Sequence, residues 1–350
     1  MLNYNNLVTS TIQRWNQLSG KSFMLDSVEQ LTPDASGRLY YRARSSDKNV
    51  IVMYFVTKNV PEAVNEKEAK LSDESFVGVQ EIFISNNVSV PEILFNDLSN
   101  SILIVEDVGN QQLINYANGD FKFYKLALSE LVKIQNISND NGHFIFKRRF
   151  DHSVFVREMS EFTDFLLESY RPRIADLGYD FNEVTLNFNQ LYQDVSKKIL
   201  SFPFVLSHRD FHSWNIHVVD NQVRIIDFQD ALMAPRLYDF ISLLNDRGSD
   251  IIIGEVGMEM LKNSFSSLLN IKRDEFDSEY YLTLLQRDLK VAGRFEKLAL
   301  KGMESYRKFI PHTVSRIENG LSYLSDRADI SSSKYCMELI KKVFKDQSEI

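Results

Sequence analysis

Hydrophobic residues recur at two spacings along this chain, and the change of spacing divides it in two. In the first part, short apolar runs separated by turn residues predict β-strands at residues 27–31, 38–44, 50–56, 90–95 and 101–105. A helix at 7–18 precedes them, and one or two more are predicted within 61–87. Beyond Gly109, apolar residues recur every three or four positions, which indicates helices. The pattern predicts an α+β protein with a small sheet and a mostly helical remainder.

The helices of the second part are amphipathic, so each is expected to pack one face against a common core. They are predicted at residues 121–137, 154–170, 184–200, 237–244, 255–269, 279–310, 314–324 and 334–344. The chain has 350 residues, of which 44% are hydrophobic and 25 are Phe. A sequence of this length and composition can bury a large core and is expected to form two domains or lobes.

One segment of the helical part has the pattern of strands. Residues 205–239 read VLSHRDFHSWNIHVVDNQVRIIDFQDALMAPRLYD. Two β-branched runs, 216–219 and 222–226, flank the dipeptide Asp220-Asn221. Because an Asx-rich turn between two alternating apolar runs is typical of a hairpin, we predict a tight hairpin here.

Three polar residues around this hairpin have the chemistry of phosphoryl transfer. Asp210 is followed by Asn215 five positions later, and Asp227 comes directly after the second run. The hairpin is expected to hold the three close together. Transfer from ATP needs an Asp that orients and deprotonates the acceptor hydroxyl, and an Asn and a second Asp as hard oxygen ligands for Mg²⁺. We therefore predict Asp210 as the catalytic residue, Asn215 and Asp227 as metal ligands, and ATP and Mg²⁺ as co-substrate and cofactor.

The same segment resembles the aminoglycoside phosphotransferase and choline kinase branch of the protein-kinase-like fold, in which a catalytic loop H-x-D-x-x-x-x-N precedes a metal-binding Asp. The motifs HRDFHSWN, IIDFQDA and PRLYDFISLLND are similar, more narrowly, to the anomeric N-acetylmuramate/N-acetylglucosamine kinases of cell-wall sugar recycling. DASGRLYYR at 34–42, ILIVEDVG at 102–109 and QRDLKVAGRF at 286–295 support the narrower match.

The resemblance implies a bilobal protein-kinase-like fold. Residues 1–107 would form a nucleotide-binding N-lobe, and residues 108–350 a C-lobe with the catalytic loop and the acceptor-binding helices. It also implies transfer of phosphate to the anomeric hydroxyl of a small amino sugar.

The nucleotide site is expected in the N-lobe. By resemblance, Ser36 and Gly37 would lie over the ATP phosphates as a glycine-rich loop does, although an ordinary hairpin turn also accounts for them. The backbone of Glu106, Asp107 and Val108 would bind adenine as the hinge.

The third predicted strand, 50–56, lacks the Lys with which protein kinases contact the α- and β-phosphates. Arg42 on the neighbouring strand is the first candidate for this role and Lys58 is another; a solvated strand charge is the alternative for Arg42. The missing Lys also leaves open a nucleotide-binding pseudokinase that acts as an interaction module, against which the intact base and metal ligands argue.

Four residues are candidates for the acceptor site. Trp214 and Asp230 flank the reacting groups, while Lys290 and Arg294 lie four apart and so share a helix face, with a basic surface stripe as the alternative. An aminoglycoside or choline-like kinase is the rival within enzymes. It should show a cluster of acidic residues for a cationic acceptor, and no such cluster stands out near the C-terminus.

The charge and cysteine content of the chain limit the classes of binding partner and the cellular compartment that we expect. The formal net charge is −8 without a Lys/Arg-rich run, which argues against nucleic acid. The single cysteine, Cys336, excludes an intrachain disulfide and fits a reducing compartment. The N-terminus has no signal-peptide pattern and the apolar runs are too short to span a bilayer, so we expect a cytoplasmic protein without a membrane partner. The oligomeric state stays open.

Overall fold

Nine strands of four to six residues lie in the part of the chain that the computed structural model describes, residues 4–31, 38–55, 72–139, 142–327, 330 and 332–345. The strands are β1 (Ser27–Gln30), β2 (Leu39–Arg44), β3 (Asn49–Tyr54), β4 (Ile93–Asp97), β5 (Ile102–Glu106), β6 (Phe204–Ser207), β7 (Ile216–Val219), β8 (Gln222–Ile225) and β9 (Leu232–Pro235).

The described helices follow the amphipathic pattern. They are α1 (Tyr4–Ser19), α2 (Ser72–Ser85), α3 (Lys122–Gln135), α4 (His152–Glu161), α5 (Arg171–Asp176), α6 (Phe181–Leu200), α7 (Tyr238–Asn245), α8 (Ser249–Leu268), α9 (Arg273–Leu300), α10 (Ile310–Arg327) and α11 (Ser333–Val343). A π-helical stretch, Phe162–Leu167, continues α4. None of the helices in the described ranges is both long and apolar enough to cross a bilayer.

Residue contacts divide the chain into two compact units. The first comprises Met1–Asn115 and Trp214–Asp230, and the second comprises Tyr116–Ser213 and Ala231–Ile350. The predicted hairpin therefore belongs to the first unit, and the loop with Asp210 to the second. The predicted lobes, 1–107 and 108–350, stay a prediction.

The first unit is built on a five-stranded antiparallel sheet in the order β1-β2-β3-β5-β4. Helix α1 covers it with Val8, Ile12 and Trp15, which pack against buried strand residues such as Tyr41 and Val52. Trp15 and Val52 are fully buried because the alternation of β2 and β3 points one set of side chains at this helix. The predicted small antiparallel sheet is confirmed.

The fourth strand lies at Ile93–Asp97, so the prediction of 90–95 was shifted toward the N-terminus. Two features, one within the start of that run and one just before it, keep the start of the run out of the sheet. Pro91 has no N–H to donate to a neighbouring strand. The carbonyl oxygen of Ser89 accepts the N–H of Ile225 in the hairpin, at 2.8 Å.

The second unit is a helical bundle with a continuous apolar core. Helices α4, α6, α9, α10 and α11 contribute most of it, and the fully buried side chains include Phe155, Phe188, Leu285 and Leu339. Strands β6 and β9 pair antiparallel beside the bundle. The sequence reading missed β9, because its four residues, Leu-Met-Ala-Pro, have no alternation and end in proline.

The single helix predicted for 279–310 was wrong at its C-terminal end. Helix α9 stops at Leu300, and a 3-10 segment, Glu304–Phe309, precedes α10. Gly302 adopts a φ of +97°, its N–H donates to Ala299, and the N–H of Met303 donates to Leu298. This pair of bonds is a Schellman ending, for which Gly302 was the available sequence signal.

Gly293 lets α9 pack against α4 at backbone contact. A Cβ at this position would lie 2.2 Å from the carbonyl carbon and oxygen of Glu161. We expect Gly293→Ala to lower the free energy of unfolding by about 3 kcal/mol, because the two helices would have to separate. Urea denaturation measures this. Gly320→Ala is the matched control, since its Cβ would meet the Leu285 side chain at 3.4 Å; a comparable loss there would refute the backbone explanation.

Candidate active site

The hairpin brings two of the predicted functional residues together. In the antiparallel register of β7 and β8, Ile216 lies opposite Ile225, and the N–H of Ile226 donates to the carbonyl oxygen of Asn215 at 2.9 Å. The amide nitrogen Nδ2 of Asn215 lies 3.3 Å from Oδ2 of Asp227. Asp227 has a φ of +65°, a left-handed backbone conformation that non-glycine residues seldom adopt outside turns and functional sites.

The Asn215 and Asp227 pair fits a magnesium site of the kind that substrate phosphates complete. Mg²⁺ is commonly held by one or two protein carboxylates together with phosphate oxygens and water, and rarely by an all-protein cage. Within the described ranges, no group of three or more His, Cys, Asp and Glu side chains could hold a metal ion. One carboxylate and one amide oxygen agree with the first arrangement, and the metal role of the two residues stays a prediction.

Gln229 connects this pair to Asp230. Its Nε2 donates to Oδ1 of Asp227 at 2.9 Å and to Oδ2 of Asp230 at 3.2 Å. Phe228 lies between Asp227 and Gln229 in the chain. Its buried ring packs against that of Phe76, with ring centroids 4.8 Å apart. The turn after β8 is therefore fixed by an apolar anchor and by an amide that orients the Asp227 carboxylate. Gln229 was not among the residues that the sequence analysis selected.

Trp214 and Asp230 are both exposed, so the two candidates for acceptor contact have side chains open to solvent. The carbonyl oxygen of Trp214 accepts a hydrogen bond from Nε2 of Gln112 at 3.1 Å. Their role toward the acceptor stays a prediction.

Arg42 is paired with Asp107 at the end of the sheet. Its Nε donates to Oδ2 of Asp107 at 2.6 Å, and its Nη2 donates to Oδ1 of Asp107 and to Oδ1 of Asn110, each at 2.9 Å. The side chains of Arg42 and Asp107 are only 5% and 4% exposed. A solvated strand charge was thus the wrong alternative for Arg42. The bidentate pair instead fixes the segment that the sequence analysis predicts as the hinge.

The other predicted nucleotide contacts are the backbone of residues 106–108 and the turn at Ser36 and Gly37. Strand β5 ends at Glu106, whose N–H donates to the carbonyl oxygen of Glu92 at 2.9 Å, and Val108 is buried. The hinge role of this backbone stays a prediction. Ser36 and Gly37 lie outside the described residues, as does Lys58.

In the second unit, Asp239 holds the loop that carries Asp210, the predicted catalytic residue. Its two carboxylate oxygens accept the N–H groups of His208 at 2.6 Å and Arg209 at 3.0 Å. Asp239 is 1% exposed, and Arg209 adopts a φ of +78°. Burial raises the pKa of the Asp239 carboxyl, and the charge of His208 and these hydrogen bonds oppose that effect. Asp239 therefore fixes the backbone of this loop.

The Asp210 carboxyl is held as an ion. Burial on its own would raise the pKa of Asp210, but nearby basic groups outweigh it, Arg209 first and Lys290 among them, so the pKa lies below its ordinary value. The carboxylate is therefore ionised at neutral pH and able to accept a hydrogen bond from a hydroxyl.

Lys290 and Arg294 lie on one face of α9, as predicted, and both pair with carboxylates of α4. Nζ of Lys290 bonds to Glu158 at 2.7 Å, and Nε and Nη2 of Arg294 bond to Glu161 at 2.7 and 2.6 Å. The Lys290 side chain is 20% exposed and that of Arg294 is 40% exposed. Lys290 is thus half-buried with a bonded ammonium, while Arg294 lies nearer the surface. Their contact with an acceptor stays a prediction.

Comparison with known proteins decides the family. The model of the phosphotransferase enzyme family matches residues 27–259, about two thirds of the chain. The chain belongs to this family. It is therefore an enzyme that transfers phosphoryl groups, and the resemblance to the aminoglycoside phosphotransferase branch is confirmed.

Two relatives and one solved structure are similar to this phosphotransferase in sequence or in fold. The N-acetylmuramate/N-acetylglucosamine kinase of Neisseria meningitidis is 27% identical, covering 79% of the chain and 80% of the relative. The enzyme of that name from Pseudomonas aeruginosa is 25% identical, covering 85% and 84%. The crystal structure of an ADP-bound aminoglycoside phosphotransferase has a TM-score of 0.55 at 12% identity, covering 94% of the chain and 98% of that structure. The predicted protein-kinase-like fold is confirmed.

Two residues of the phosphotransferase escaped the sequence analysis although they interact with the loop that carries Asp210. Arg287 is buried, it pairs with Asp246 at 3.8 Å, and the Asp210 charge helps to raise the pKa of its guanidinium against the opposing effect of burial. Glu158 accepts the bond from Lys290. Arg287 precedes Lys290 by three positions on the same helix face, and this spacing was the signal that could have found it.

Proposed function

We propose that this phosphotransferase transfers the γ-phosphoryl group of ATP to the anomeric hydroxyl of N-acetylmuramate, and of N-acetylglucosamine, to give the sugar 1-phosphate. The observation that carries the proposal is Asp210, a carboxylate kept ionised on a loop that Asp239 fixes. The names of the relatives from Neisseria meningitidis and Pseudomonas aeruginosa support the sugar.

In this proposal, Asp210 orients the acceptor and takes its proton. The anomeric oxygen forms a bond to the γ-phosphorus while the bond to the leaving oxygen of ADP breaks, and the hydroxyl proton passes to the Asp210 carboxylate. An anomeric hydroxyl is more acidic than an ordinary alcohol, so a carboxylate of low pKa suffices as the base. Most of the rate comes from positioning and charge stabilisation, as in other phosphoryl transfers.

Asn215 and Asp227 are proposed to hold the nucleotide through its metal ion. Asn215 and Asp227 would bind Mg²⁺, which neutralises charge on the β- and γ-phosphates when bound. The ADP bound to the aminoglycoside phosphotransferase of similar fold supports a nucleotide in the same fold here. We place the enzyme in the cytoplasm, where ATP is available, and expect a nucleotidyltransferase to consume its product in peptidoglycan recycling.

A sugar panel tests this proposal. ADP release is measured with Mg–ATP against N-acetylmuramate, N-acetylglucosamine, glucose, choline and kanamycin, and the product is examined by ³¹P NMR. We expect a 1-phosphate on the two N-acetylated sugars. Turnover of choline or kanamycin alone would keep the catalytic residues but reject the sugar, and no turnover of any acceptor would favour a pseudokinase.

A further inference from the structure

The second unit contains a cavity that the proposed reaction has not used. Its volume is about 310 Å³, and it lies between the start of α8, the later part of α9 and the start of α10. One wall is apolar and includes Ile251, Val291, Phe295 and Phe309. A volume of this size accommodates part of a small ligand and is too small for a macromolecule.

The charged residues that line this cavity, among those described, are all basic. Arg247 comes from the turn before α8, Lys308 from the turn before α10, and Arg316 from α10, with His312 beside it. Lys308 is exposed, and its ammonium lies 5.0 Å from the centre of the Phe309 ring. A cavity with an apolar wall and basic residues fits an anion on a short apolar arm.

Two carboxylates, Asp250 and Asp288, hold two of these basic groups in place. Nη1 of Arg316 lies 3.1 Å from Oδ2 of Asp250, and its Nη2 lies 2.7 Å from Oδ1 of Asp288. His312 bonds to the same Asp250 at 2.7 Å. The Arg316 guanidinium is therefore fixed by two carboxylates, a preorganised arrangement of the kind that binding sites use.

Beside Arg247, which lines the cavity, one carboxylate lies near two guanidinium groups. Asp246 lies 3.5 Å from Arg247 and 3.8 Å from Arg287. These charges also act on the loop that carries Asp210, because Asp246 and Arg247 both influence the His212 ring and Arg287 interacts with the Asp210 carboxylate. The cavity and the predicted base thus belong to one charged network of the second unit.

We infer that this cavity binds the lactyl carboxylate of N-acetylmuramate and so distinguishes this sugar from N-acetylglucosamine. The inference rests on the proposed function. The two sugars differ only by a lactyl ether on carbon 3, which carries one methyl group and one carboxylate. Arg247 and Lys308 would bind the carboxylate, while Ile251 and Phe295 would contact the methyl group. N-acetylglucosamine has no lactyl group, so water would fill the cavity when this sugar is bound.

Charge removal at the cavity tests the inference. We expect Lys308→Glu and Arg247→Gln each to lower kcat/KM for N-acetylmuramate about tenfold relative to kcat/KM for N-acetylglucosamine, the loss expected for one charged hydrogen bond. Lys301→Glu is the matched control, because Lys301 is also an exposed lysine near the end of α9 but does not line the cavity. It should keep the ratio of the two sugars. Equal unfolding temperatures show that each variant is folded.

The outcomes separate this inference from the proposed function. If wild type phosphorylates both sugars and the variants keep the wild-type ratio of kcat/KM for the two sugars, the cavity does not bind the lactyl carboxylate. Only the inference is then overturned. An increase in the KM for ATP at an unchanged sugar ratio would assign the cavity to the nucleotide and also overturn it. If wild type phosphorylates neither sugar, the proposed function fails and the inference fails with it.

Discussion

Replacing Asp210 with Asn should lower kcat about a thousandfold while leaving the affinity for Mg–ATP nearly unchanged. The substitution keeps the shape of the side chain but removes the carboxylate that accepts the proton, and such a base contributes a factor of about 10² to 10⁴. Steady-state kinetics with N-acetylglucosamine gives kcat, and fluorescence titration with an ATP analogue gives the affinity.

Asp220→Asn is the control for this experiment. Asp220 is exposed at the hairpin turn with a φ of +49°, a conformation that Asn tolerates well, so the same chemical change there should leave kcat unaltered. Retained turnover in the Asp210 variant would exclude Asp210 as the base. Loss of nucleotide affinity together with turnover would instead assign it to the metal site.

Replacing Asp227 with Asn should abolish the dependence of ATP binding on Mg²⁺ and raise the Kd for Mg–ATP. Removing a group that merely supports a metal ligand costs about 10- to 100-fold in affinity, and loss of the one predicted carboxylate ligand should cost at least as much. The backbone at this position has a φ of +65°, which Asn accepts, so the fold should be kept. Calorimetric titration with ATP, with and without Mg²⁺, measures the effect.

The two variants thus differ in their expected readouts. Asp210→Asn affects turnover and spares binding, whereas Asp227→Asn affects Mg²⁺-dependent binding as well. Asp220→Asn serves again as the control, since it makes the same substitution in the same hairpin at another left-handed residue. If Asp227→Asn binds Mg–ATP as wild type does, Asp227 is not a ligand of the nucleotide's metal ion.

The hairpin shows what local sequence suffices to predict. Its turn residues, Asp220 and Asn221, both have positive φ, as a two-residue turn between twisted strands requires, and both are of the type that accepts it. Once the register is set, Asn215 and Asp227, only 12 positions apart, become neighbours. The same holds for the amphipathic helices, whose periodicity specifies the face that is buried. Their ends were less predictable, because the Schellman ending at Gly302 interrupts an apolar pattern that continues beyond it.

The sequence by itself determined most of the strands and helices and the motif around the hairpin, since each follows from residues close together along the chain. Only the tertiary structure decided which charges meet. Arg42 pairs with Asp107 across 65 positions, Lys290 with Glu158 across 132, and the cavity at Arg316 depends on several helices. The hydrophobic periodicity of a helix or strand predicts which side chains are buried, but it does not predict which residues they contact. The strength of a charge pair depends on distance and on burial, and both are set by the packing of elements far apart in the chain.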